Sequence, residues 1–79
     1  MMDLYEKVIG IISRICHTEE VYRRPDLDLF DSGLLDSFGV IELLIALETE
    51  CQIRVPITDF DRTEWYTPNR IISKLEVYV

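Results

Sequence analysis

At 79 residues the chain has length for one domain and too little for a large core, which predicts a single domain over 1–79 of modest stability. Hydrophobic residues make up 48% of it, with only three Gly and three Pro, a globular and helical composition rather than a disordered one. Fifteen acidic against eight basic side chains leave a formal charge of −7, which disfavours nucleic acid and anionic membrane surfaces and points to protein partners with basic docking patches.

No segment has the length of a membrane span, and the start of the chain is acidic and helical where a signal peptide would be basic and apolar. A cytoplasmic protein is therefore expected, and a monomer. Cys16, His17 and Cys51 lack zinc-like spacing, and two cysteines are too few for a secreted disulfide framework, so they read as structural thiols with no metal site.

Leu4, Val8, Ile11, Ile12 and Ile15 recur on one helical face, with Asp3, Glu6, Lys7 and Arg14 off it, and predict a first helix that Tyr5 and Ile9 widen. Gly10 in its middle is a mild cost or a place of close approach. From about Cys16 to Leu35 the periodicity fails: Thr18, Arg23-Arg24-Pro25-Asp26 and Asp31-Ser32-Gly33 supply breakers, while Val21, Leu27, Leu29 and Phe30 are spaced as anchors. This reads as a long loop, pinned by Leu29-Phe30 and Leu34-Leu35 beside the next helix, with Arg23-Arg24 a solvated pair.

Residues 36–48 are the most apolar stretch, and the rest of the chain reads as packaging for it. With neither Pro nor a turn dipeptide inside, the stretch predicts a helix capped by Asp36, whose carboxylate would take the free N–H groups of the first turn. That leaves the Ser37 hydroxyl without capping duty, at the positive end of the helix dipole, where a phosphodiester would be favoured. By itself Asp-Ser before an apolar run is better explained by a mere helix start. Val40, Leu43, Leu44, Leu47 and Cys51 define the face chosen for the core; Phe38, Ile41, Glu42, Ile45 and Thr49 fall opposite. Phe38, Ile41 and Ile45 then fall in an apolar stripe below Ser37, rimmed by Glu42 and Glu48, with the makeup of a transient docking surface; the alternative is that the long loop or the short third helix covers some of them.

Ile53 and Val55 lead out of that helix to a turn at Pro56, and residues 57–62 allow a short helix or turn with Ile57 and Phe60 inward. Thr67-Pro68 is a cap followed by Pro at the first helical position, opening a last helix with Ile71, Ile72, Leu75 and Val79 on one face. The sum is an all-α protein: a small antiparallel helical bundle of three main helices, a short third helix before the last, and a long first loop.

One His and no Gly-rich phosphate loop argue against most enzyme chemistry, and Ser37 has no plausible base to make it a nucleophile. The pairs Asp26 with Asp28 and Asp59 with Asp61 read as solvated loop charges.

The segment Leu29-Phe30-Asp31-Ser32-Gly33-Leu34-Leu35-Asp36-Ser37-Phe38-Gly39 resembles the phosphopantetheine attachment region of acyl and peptidyl carrier proteins, in which the modified serine follows an aspartate at the start of the second helix. Phe38-Gly39 after the serine is similar to the D-alanyl carrier proteins of teichoic acid D-alanylation. Val55-Pro56-Ile57-Thr58-Asp59-Phe60-Asp61-Arg62, with Trp65 and Thr67-Pro68-Asn69, resembles the same subfamily, so the likeness spans about Pro25 to Ile72. Val40 stands where Thr is usual, Glu42 where Gln or Glu is found and Tyr66 where Asn is expected; these departures bear on partner specificity and leave the attachment pair intact.

The resemblance implies an acyl-carrier-protein-like fold and a covalent 4'-phosphopantetheine on Ser37, placed there by a phosphopantetheinyl transferase. It implies a carrier with no catalysis of its own. A separate adenylating ligase would load D-alanine as a thioester, and a membrane acyltransferase system would pass it on to lipoteichoic acid in cell wall biogenesis. Asp36, Phe38, Ile41, Glu42 and Ile45 are the expected partner-binding residues. The rivals are a carrier for another amino acid or acyl group, such as an isolated peptidyl or fatty-acyl carrier, and a helical interaction module with an unmodified serine.

Overall fold

The structure is a computed structural model that describes residues 3–78. Its elements in order are α1 (Leu4–Cys16), α2 (Glu20–Arg23), α3 (Ser37–Cys51), a 3₁₀ turn (Ile57–Asp59), α4 (Pro68–Leu75) and a second 3₁₀ turn (Glu76–Tyr78). Among the described residues there is no strand, and no helix is long and apolar enough to cross a membrane. The all-helical bundle expected from the periodicity is the fold observed.

Each main helix begins on a side-chain cap, two of them expected from the sequence and the Asp3 cap of α1 not. Asp3 accepts from the Glu6 N–H at 2.9 Å, Asp36 from the Gly39 N–H at 2.8 Å, and Thr67 from the Arg70 N–H at 3.1 Å, with Pro68 at the first position of α4. Their ends differ. α1 and α3 both stop on a non-glycine residue in the left-handed region, His17 at φ 55° and Gln52 at φ 56°, and the Gln52 N–H folds back onto the Leu47 carbonyl.

The core joins Val8, Ile9, Ile12 and Cys16 of α1 to Val21 of α2, Leu43 and Leu47 of α3, and Ile71 and Leu75 of α4, with Leu29, Ile53 and Trp65 supplied from between the helices. The hub is α1, which packs on α2, α3 and α4 alike, rather than the more apolar α3. Hydrophobicity alone pointed to α3 because it is apolar on two sides, yet only one of those sides is covered. Ile15 near the end of α1 lies against Gly39 at the start of α3. An exposed Arg14–Glu50 ion pair also links the two helices, and at that exposure it adds little stability.

Three expectations need correction, and a fourth holds as far as it can be read. The stretch from Cys16 to Leu35 is not loop throughout: it contains α2, one turn of helix whose buried Val21 docks it on α1, so burial and not length stabilises it. The core face of α3 is turned from the one expected. Gly39, Val40, Leu43, Ala46 and Leu47 are buried, whereas Leu44 and Cys51 are half-buried, a rotation of roughly 60° on a helix with 3.6 residues per turn. Ile57 is not inward but 60% exposed, because the 3₁₀ turn after Pro56 breaks the alternation that buries Ile53 and Val55. The face of α4 does bury Ile71, Ile72 and Leu75, while Val79, assigned to the same face, lies outside the described residues.

The thiols differ accordingly. Burial pushes Cys16 up to about 11, and it raises the half-buried Cys51 as well, against the lowering effect of Lys7. In the folded protein at pH 8 a thiol reagent should therefore modify Cys51 before Cys16, with both reacting fully in denaturant. Since unfolded Cys16 ionises near the ordinary thiol value and folded Cys16 only near 11, its contribution to stability is whole below the lower value and lost as pH rises through that window. Labelling of Cys16 as fast as Cys51 in the native state would contradict this packing.

Candidate functional site

The loop before α3 is built to place the helix start. Asp28 caps it locally, its Oδ1 accepting from the N–H groups of Phe30 (3.1 Å) and Asp31 (2.9 Å). The Leu29 N–H donates to the Tyr66 carbonyl at 2.8 Å and the Leu35 N–H to the Leu29 carbonyl at 2.9 Å, so the loop is tied both to the segment before α4 and to itself. Leu29 and Leu35 are buried beneath it. Gly33 completes the turn at φ +79°, a conformation any side chain would strain.

Asp36 is extended (φ −122°, ψ −172°) and accepts the Gly39 N–H, so Ser37 is the first residue of α3 and Val40 donates the first helical bond to the Asp36 carbonyl at 2.9 Å. Gly39 sits close here: a Cβ on it would come within 2.6 Å of Leu35 Cδ1 and into contact with Asp36 and Ile15, so a larger residue requires the buried Leu35 side chain to shift. Ser37 is exposed, and its hydroxyl makes no hydrogen bond among the described residues. The cap thus does the work at the helix end and the hydroxyl is left to solvent, beside unpaired first-turn N–H groups and with no acidic side chain in that turn. Asp36→Ala should cost about 0.5–2 kcal/mol and fray this turn, read as a lower midpoint in a thermal melt together with faster amide exchange at 37–40. An unchanged melt would show that the cap is dispensable.

A groove of about 180 Å³ opens next to Ser37, lined by Phe30, Val40, Ile41, Ile57, Phe60 and Arg62. Its outer wall is an aromatic stack: Phe30 meets Phe60 edge-on at 6.2 Å, and Phe60 lies 5.0 Å from Trp65. Tyr78 braces the far side through its hydroxyl, which donates to Asp59 at 2.8 Å, and through its ring, 6.3 Å from Trp65. Arg62 is held over the Phe30 ring with its guanidinium carbon 4.5 Å from the ring centre. No side chain lining this groove is a base that could take the serine proton; His17, the one histidine, is the C-cap of α1.

The opposite face of α3 is as expected from the helical period. Phe38 is 78% exposed, Ile41 45% and Ile45 57%, in a row leading away from Ser37. Glu42 stands exposed beside them, while Glu48 is drawn into an ion pair with Arg54 at 3.2 Å, which leaves Glu42 and Asp36 as the unpaired acids of the rim among the described residues. Ile57 enlarges the row: Ile41, Ile45 and Ile57 line one shallow hollow with Leu44, Glu48 and Val55. Neither Ile57 nor Arg62 was singled out as a site residue from the sequence. Both lie in a segment whose two-residue period fails, so no pattern indicated which way they face.

A family model described as a phosphopantetheine attachment site matches residues 6–74. Among curated proteins the chain is 47% identical over 74 residues to the D-alanyl carrier protein of Bacillus velezensis, covering 94% of this chain and 95% of that one. It is 46% identical over 74 residues to the D-alanyl carrier protein of Bacillus subtilis, with the same coverage. Against the D-alanyl carrier protein of Listeria welshimeri it is 47% identical over 75 residues, 95% of this chain and 96% of the other.

Proposed function

The chain belongs to the phosphopantetheine attachment-site family, and from that premise we propose that Ser37 is the hydroxyl that carries 4'-phosphopantetheine in a D-alanine carrier. The observation that supports it best is the division of labour at the start of α3, where Asp36 caps and Ser37 stays exposed and unbonded. The surroundings suit the group: a phosphodiester at Ser37 would lie against the positive end of α3 and within a groove that holds one arginine. When attached, the arm supplies a terminal thiol that holds an acyl group as an activated thioester. The chain's own residues orient the anchor, keep the serine accessible and present a docking row, and the bond-making steps fall to the partner enzymes.

The cargo reading rests on the resemblance to D-alanyl carrier proteins. In it a phosphopantetheinyl transferase modifies Ser37, an adenylating ligase loads D-alanine at the expense of ATP in the cytoplasm, and a membrane acyltransferase system draws on the loaded carrier for lipoteichoic acid. Phe38, Ile41 and Ile45, widened by Ile57, are the contact row for these partners, and Asp36 and Glu42 steer their basic patches.

The test is direct. The protein is incubated with a transferase and coenzyme A, and its intact mass and modified peptide are measured; one phosphopantetheine on Ser37 is expected. The modified protein is then offered D-alanine, other amino acids and fatty acids with the organism's own ligase. Attachment at another residue overturns the site, and equal thioester formation with a fatty acid overturns the cargo.

A further inference from the structure

We propose that Arg62 binds the phosphodiester that links the arm to Ser37, which makes it a positioning residue for the loaded carrier. The inference rests on attachment at Ser37 as read above.

Arg62 and Ser37 line the same small groove, and Arg62 is the sole cation on its walls. Four of the eight basic residues, Arg14, Arg23, Arg54 and Lys74, are engaged in ion pairs, and Arg62 is in none among the described residues. What holds it is Phe30, under the guanidinium at 4.5 Å. A ring engages the positive charge and leaves the guanidinium's N–H donors for oxygen acceptors. Asp28 and Asp31 share a neighbouring hollow with Arg62. The Oδ1 of Asp28 is already taken by two backbone N–H groups, and neither acid lies within ion-pairing distance of Arg62.

Charge makes the demand. The chain carries a formal −7, and attachment adds a further negative group at a point next to Asp36. The start of α3 favours that charge, and a guanidinium in the same groove offers two-point hydrogen bonding to phosphate oxygens. Phe30 holds that guanidinium at the groove before the phosphate arrives, which lowers the ordering cost of binding. With the phosphate held, the first bonds of the arm leave Ser37 in a restricted set of directions.

The experiment compares apo-protein and holo-protein by NMR of the arginine side-chain N–H groups and of the arm's phosphorus, for the wild type, Arg62→Gln and Arg62→Lys, with modification at Ser37 verified by mass in each. In the wild type the Arg62 Nε–H resonance should shift on conversion to holo-protein, and the phosphorus should relax as a group tumbling with the protein. Arg62→Gln should lose the slow phosphorus relaxation, Arg62→Lys should keep part of it, and raising the salt concentration should weaken it in the wild type. A merely structural role for Arg62 over Phe30 would alter apo and holo forms alike and so leave their difference unmoved. An unshifted Arg62 resonance, or identical phosphorus relaxation in wild type and Arg62→Gln, overturns the proposal while leaving attachment at Ser37 standing. Absence of modification at Ser37 in the wild type overturns the attachment reading and this proposal with it.

Discussion

Ser37→Ala should abolish loading altogether while leaving the fold intact. The side chain is exposed, makes no hydrogen bond among the described residues and sits at the first position of α3, where Ala is a good helix former and Asp36 has already satisfied the Gly39 N–H. Surface changes of this kind shift stability by about 0.5 kcal/mol or less, so thermal melts of wild type and variant should superimpose. Loss of function should be complete because a covalent anchor has no partial substitute: without the hydroxyl there is no modified mass and no thioester with any ligase. Ser37→Thr is the instructive companion, since it keeps the hydroxyl but adds a methyl group at the helix start; slow modification is expected. Arm attachment to Ser37→Ala protein would place the site elsewhere.

Leu47→Ala and Ile45→Ala, two positions apart on α3, should have opposite consequences. Leu47 is fully buried in the core cluster, and truncating it should cost about 2–5 kcal/mol from lost burial and the cavity left behind. A small domain has a total of roughly 5–15 kcal/mol, so the variant should melt more than about 10 °C lower or fail to accumulate folded. Ile45 is 57% exposed, and its truncation should leave the melt nearly unchanged while slowing loading by the ligase, since it removes a contact from the proposed docking row. Circular-dichroism melts with timed loading assays separate the two effects. Comparable destabilisation by Ile45→Ala would mean that α3 packs in a different phase, and unaltered loading would remove Ile45 from the partner surface.

The capped ends were legible because each rests on chemistry local to three or four residues. Asp36 before an apolar run and Thr67 before Pro68 satisfy the same donors in any context, so the starts of α3 and α4, and with them the exposed position of Ser37, followed from the chain alone. The exposed row of Phe38, Ile41 and Ile45 was legible too, since helical spacing places those three opposite any choice of core among positions 40, 43 and 47.

The phase of α3 was not. A helix apolar on both sides carries little information about its rotation, and the choice between Leu44 and Ala46 for the interior was made by where α1 lies against Gly39. Nor did α2 have a signal of its own, because one turn of helix has no period to read and is stabilised only by burying Val21 on α1. The groove beside Ser37 is wholly tertiary. Phe30 from the first loop, Ile41 from α3, and Ile57, Phe60 and Arg62 from the segment after it meet there, so no local pattern could announce it. Sequence by itself determined where the helices start and which hydroxyl is free, since those depend on neighbours along the chain; the packing of α1 on α3 and the fold-over of residues 53–66 decided what surrounds that hydroxyl, since only contacts distant in sequence put an exposed serine beside a groove with aromatic walls and an arginine.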